Sequence, residues 1–268
     1  MCQCSGHGFL FCIVMAGRGR GALLRRALRK PGPPEDEKLA PVQMLNQMLK
    51  NLNLHAETSD IDNIYKVAND YCSSKAALED TVKLIYNKCV RDWEFASVGA
   101  KICEKLCNIE ADSTKFRTCL LTHIQNDFKK KEHLRNNDKQ RYLGCLTLIC
   151  QLYGLLRTGE GEPLQPLLGP TTQSILELIG PDAKDEEVDA GAQQILSVGR
   201  VIELQSKSNM EKIMCEVRKR IVSGRTPQKE RCLFLEVLET YATGWDSLPE
   251  EAANFYCDTM ADIEAQRF

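Results

Sequence analysis

From about residue 60 onward, apolar residues return at steps of three and four, the spacing that places them on one face of an α-helix. Ile61, Ile64, Tyr65 and Ala68 share such a face, and Leu78, Val82, Ile85 and Cys89 form the next stripe. Phe95, Val98, Ile102 and Leu106 follow. Phe116, Leu120, Ile124 and Phe128 step by four, with Ser113 placed to cap that helix. Tyr142, Leu146, Ile149, Tyr153 and Leu156 mark the most apolar helix, which ends ahead of Gly159 and Gly161.

The stretch from Gly159 to Gly169 interrupts the pattern with Pro163 and Pro166. Pro170 is expected to open the next, short helix in its first turn, because a helix start has no use for the missing N–H. That helix carries Ile175, Leu178 and Ile179 and stops at Gly180-Pro181. The acidic run Asp182 to Glu187 then stands at the positive end of another helix dipole. Val188, Ala192, Ile195, Gly199 and Ile202 line that helix, and Met210, Ile213, Met214, Val217 and Ile221 line its successor. Thr226-Pro227 starts a helix with Leu233, Phe234, Val237, Leu238 and Tyr241, closed by Gly244. Ser247-Leu248-Pro249-Glu250 starts the last, which carries Phe255 and Ile263.

No segment shows strand alternation between hairpin turns. Helices of roughly 12 to 20 residues, paired at a period near 40, predict an all-α fold: a HEAT-like α-solenoid of stacked antiparallel helical hairpins. A compact helical bundle is the alternative, and the residue count favours the stack. Over residues 41–59, Leu45, Met48, Leu49 and Leu52 predict one short amphipathic helix, a lid or linker on the domain that occupies 60–268. Residues 1–40 hold Gly-Arg and Pro clusters, such as Gly17-Arg18-Gly19-Arg20-Gly21, and are expected to form a disordered leader.

Composition narrows the function. Lys and Arg number 35 and Asp and Glu 37, a formal charge of -2. This balance argues against a surface that coats nucleic acid, whose binding scales with the phosphates neutralised. The 13 cysteines are scattered without a C-x-x-C pair. Cys89, Cys103, Cys119, Cys145, Cys150, Cys215 and Cys232 fall among apolar residues at helical spacing, as small hydrophobes of a reducing compartment do. No run approaches the roughly 18 apolar residues of a membrane span. The four histidines, His7, His55, His123 and His133, stand in no metal or catalytic motif, and no nucleophile elbow or phosphate loop occurs. Neither an enzyme, a metal nor a cofactor is expected.

Two basic clusters are the candidate sites. One holds Lys129, Lys130 and Lys131 with His133, Arg135, Lys139 and Arg141; the other holds Arg218, Lys219 and Arg220 with Arg225, Lys229 and Arg231. Both fall near predicted helix C-termini, where the dipole alone favours cations. Their functional reading is a surface for phosphates or for an acidic partner. Aromatic residues do not interleave with the charges, which speaks against base-stacking RNA recognition. Asp182 to Glu187 could face a basic partner, although a helix start explains the run equally well. Trp93 and Trp245 lie at helix junctions, as packing residues or interface anchors.

Several segments, taken in order, resemble the middle domain of eukaryotic translation initiation factor 4G. They are Phe95-Ala96-Ser97-Val98-Gly99-Ala100-Lys101-Ile102-Cys103, Phe116-Arg117 with Leu120-Leu121 running on to Gln125 and Phe128, and Arg141-Tyr142. Leu152-Tyr153 with Leu156-Arg157, Leu235-Glu236 and Gly244-Trp245 complete the series. The chain looks most like the small middle-domain adaptors, such as the partner of the histone stem-loop-binding protein and the cap-binding-complex-dependent translation factor. The resemblance implies a HEAT-type scaffold in translation control, in the cytoplasm and also the nucleus. Its implied partners are messenger-RNA-binding proteins and the initiation machinery, including a DEAD-box helicase or a stem-loop-binding protein, sometimes RNA itself, with homodimers in some members. A cap-factor-binding Tyr-x-x-x-x-Leu motif is missing, because Thr147 stands where Tyr142 would need its leucine.

Overall fold

The structure, a computed structural model, describes residues 40–266. The leader expected over 1–40 lies, but for residue 40, outside the described residues. Among these, twelve helices follow in order. The first half contains α1 (Pro41–Asn51), α2 (Thr58–Tyr71), α3 (Lys75–Arg91), α4 (Ala96–Leu106), α5 (Phe116–Lys129), α6 (Lys131–Asn137) and α7 (Lys139–Leu155). The second half contains α8 (Gln165–Leu178), α9 (Asp185–Gln205), α10 (Lys207–Val222), α11 (Gln228–Ala242) and α12 (Glu250–Ala265). Several starts are capped as their residue types dictate. The Ser74, Asp138 and Ser206 side chains accept hydrogen bonds from the backbone N–H of Ala77, Arg141 and Asn209.

The helices stack in two rows. α2, α4, α7, α9 and α11 form one row, each packed on the next. In the other row α3 packs on α5 and α8 packs on α10, while α5 and α8 each pack on α7. A single core runs through the stack from Leu45 and Leu49 of α1 to Phe234 and Val237 of α11. The short helix expected within 41–59 is α1, and its two buried leucines belong to this same core. α12 closes the far end on α11 through Tyr256 and Ile263 around Cys232.

α7 is the centre. It is buried without interruption from Tyr142 to Cys150 and touches α3, α4, α5, α6, α8 and α9. A helix apolar on every side can only be an interior one. It approaches α3 closely at one point: a Cβ on Gly144 would stand 2.4 Å from the Val90 Cα, so only glycine lets the two backbones meet. A second close approach holds the C-terminal end. The Trp245 ring lies where a Cβ on Gly199 would sit, at 2.2 Å, and its indole N–H donates to Glu203 at 2.7 Å. Trp245 is therefore a packing residue.

Three local expectations need correction. A small hairpin, β1 (Glu110–Ala111) and β2 (Thr114–Lys115), turns through Asp112 and Ser113, both with positive φ. Two-residue strands are too short to show alternation, and Ser113 is a turn residue, not the cap of α5. α8 begins five residues before Pro170; Pro166 occupies its first turn and Pro170 lies inside it. Cys215 is exposed on α10, one position past the buried Met214.

These contacts predict opposite fates for two glycines. Gly144→Ala should cost about 3 kcal/mol, as overpacking against a backbone does. Gly159→Ala, with nothing within 4 Å of the new methyl, should change stability by less than about 1 kcal/mol. Urea unfolding followed by circular dichroism measures both.

Candidate functional site

The first basic cluster spans the junction of α5, α6 and α7, and three of its members, Lys131, Arg135 and Lys139, pair with acids of the second half. Lys131 bridges to Glu177 of α8, and its ammonium lies 5.5 Å from the centre of the Phe128 ring. Arg135 meets Glu187 at 2.6 Å and donates to the Asp182 carbonyl oxygen at 3.1 Å. The hydrogen bond to Glu187 raises the pKa of its guanidinium. Lys139 meets Glu186 at 2.7 Å. The basic run and the acidic run, separate candidates in the sequence, thus answer each other across the stack. Glu187 is buried, at 1% side-chain exposure, and also accepts the Lys184 N–H as the capping group of α9.

Arg141 turns inward. Its Nε lies 2.6 Å from Asp127 Oδ2, which also accepts the Tyr86 hydroxyl at 2.7 Å. Burial pushes the Tyr86 phenol far above its ordinary pKa, so it remains a donor, and His123 stacks on its ring. This network ties α3, α5 and α7 together. A buried carboxylate with two such partners fixes one arrangement of the helices it joins.

The second cluster divides in two. Arg218 with Glu211 and Lys219 with Glu216 are exposed pairs of small energetic weight. Arg220 is buried, bridges to Glu230, donates to the Gly180 carbonyl oxygen at 2.6 Å and lies over the Phe234 ring. Lys229 lies 2.7 Å from Asp189. Arg135 and Arg220, one from each cluster, therefore clamp the same α8–α9 connection, through Asp182 and Gly180. Of the first cluster's lysines and arginines, Lys129 and Lys130 are exposed and have no ion-pair partner among the described residues.

Sequence reasoning missed a groove. α5 and α8 leave between them a cleft of about 470 Å³ lined by Leu121, Ile124 and Phe128 of α5, Pro166, Leu167 and Pro170 of α8, and Ile149 of α7 beneath. Thr118, Thr122 and Gln125 form its rim and Lys129 stands at one end. The two prolines four residues apart were the only local signal. Among the described residues no group of three or more His, Cys, Asp or Glu could hold a metal ion, and no helix is long and apolar enough to cross a membrane.

The division between structural and free cations is measurable. Arg220→Met leaves the Glu230 carboxylate buried without its partner and should cost about 3–5 kcal/mol. Replacing Lys129 and Lys130 together by alanine should stay within about 0.5 kcal/mol. Equal losses in chemical denaturation would contradict this assignment.

Comparison with known proteins agrees with the architecture. The MIF4G domain model matches residues 43–241. A CBP80/20-dependent translation initiation factor of Xenopus tropicalis is 30% identical over 244 residues, which cover 88% of this chain but 40% of that protein. MIF4G domain-containing protein A of Xenopus laevis is 24% identical over 80% of this chain and 97% of its own length. The human MIF4G domain-containing protein is 26% identical over 69% of this chain and 85% of its own. With its family model matched over most of its length and its helices stacked in two rows, the chain belongs to the MIF4G domain family.

Proposed function

We propose that this protein is a non-catalytic adaptor in messenger RNA translation, docking messenger-RNA-bound proteins and the initiation machinery, a DEAD-box helicase or a stem-loop-binding protein among them, in the cytoplasm and also the nucleus. Family membership supports the setting, as does the name of the Xenopus tropicalis relative, a translation initiation factor. One observation favours protein partners over RNA: the cations that RNA would need are largely held in pairs. Lys131, Arg135, Lys139, Arg141, Lys229 and Arg220 each have a carboxylate within the stack. RNA would have to break pairs that support the fold, and binding through phosphates needs many free cations at once. A direct RNA-binding role would rest on Lys129, Lys130 and the exposed ends of α10 and α11.

Tethering the chain to a reporter messenger RNA through a coat-protein fusion tests the adaptor role. Protein output per messenger should change several-fold, and an unchanged reporter contradicts the proposal. A 20-nucleotide single-stranded RNA should bind only in the nonspecific range, about 10⁻⁴–10⁻⁶ M at physiological salt. Nanomolar binding with a steep salt dependence, read by fluorescence anisotropy, would transfer the function to RNA.

A further inference from the structure

We infer that the α5–α8 groove is the docking site for a short amphipathic helix from a protein partner, with carboxylates at the end that meets Lys129 and Lys130. The inference deepens the adaptor reading and rests on it for the partner being a protein. Its basis is the break in the second row of helices. α3 packs on α5 and α8 packs on α10, but α5 and α8 each pack on α7 and leave the groove between them. The gap exposes a strip that in a continuous row would be covered by the neighbouring helix.

The strip has the dimensions and chemistry of a helix seat. Its lining runs along α5 from Thr118 to Lys129, about 16 Å at 1.5 Å per residue, which is three turns of a helix laid alongside. Leu121 and Phe128 lie seven residues apart on one face of α5, and Pro166 and Pro170 present their rings from α8. An amphipathic helix fills such a groove with residues spaced at i, i+3 or i+4, and i+7. No carboxylate lines the groove, and its rim is uncharged until Lys129.

Charge decides which helix fits. Every other lysine and arginine of the first cluster has an acidic partner in the stack, whereas Lys129, which lines the groove, and Lys130, the next residue, have none among the described residues. A partner carboxylate arriving there meets two cations with no competing acid from the groove itself. A nucleic acid would instead require positive charge along the whole groove, and its length is apolar.

A 16-residue peptide library displayed on phage and selected on the purified full chain tests this without reference to translation. Enriched peptides should carry large apolar residues at helical spacing and at least two Asp or Glu at one end. Gln125→Trp, which fills the groove from an exposed position, should abolish their binding while the melting temperature holds. Lys129→Glu with Lys130→Glu should weaken binding about tenfold or more, and exchanging the peptide's acids for lysines should restore it. The inference is overturned if the library yields no binder, if enriched peptides lack acids, or if they bind Gln125→Trp unchanged. It is overturned equally if the single-stranded RNA displaces them, or if Gln125→Trp converts a self-associated chain to monomer in sedimentation, which would make a second copy the occupant. Any of these leaves the adaptor reading standing on the tethered reporter, with docking moved to another surface.

Discussion

The approach of α7 to α3 at Gly144 is the constraint on which the stack depends. Packed helices ordinarily stand about 8 to 10 Å apart, at a distance set by the side chains at their contact. Here the Val90 backbone occupies the place where any side chain at 144 would stand. The same helix receives α4, α8 and α9, so a shift at this crossing moves both halves of the stack. Cys145, on the same turn, is buried with its thiol pushed up to about 12, and it lies beside the Tyr86–Asp127–Arg141 network that orients α5. Packing sets the distance between these helices, and the polar network sets their rotation.

Charge then locks the second half onto the first. Arg135 reaches across to Glu187 and Asp182, and Arg220 reaches back to Gly180. Both guanidiniums hold the short α8–α9 connection. Buried or half-buried pairs of this kind add little net stability compared with apolar substitutes, but breaking one is expensive, and they favour a single geometry. A scaffold whose function is to present a fixed surface gains from that selectivity. The consequence for recognition is direct: in the first cluster Lys131, Arg135, Lys139 and Arg141 are already held by carboxylates of the stack.

Much of the fold was legible because helix amphipathicity is local. Leu78, Val82, Ile85 and Cys89 form a stripe whatever lies elsewhere in the chain, and all four are buried in α3. Short features without a full period were not legible. The hairpin at Asp112-Ser113 has two-residue strands, and the α8 start is obscured by two prolines of which only the first sits in the opening turn. The site was less legible still. Arg135 and Glu187 are 52 residues apart, so nothing in either run shows that one will neutralise the other. The groove depends on the distance between α5 and α8, a property of how these two helices pack on α7. No residue pattern within either helix encodes it.

A stack that holds proteins directly keeps them when RNA is gone. Affinity capture with the full chain from cell extract, divided into samples with and without ribonuclease, tests it most directly. Messenger-RNA-binding proteins or translation factors are expected to stay bound after ribonuclease, because the contact is protein to protein. Loss of every such partner after ribonuclease would mean that RNA is the bridge, and that this surface recognises RNA and not proteins.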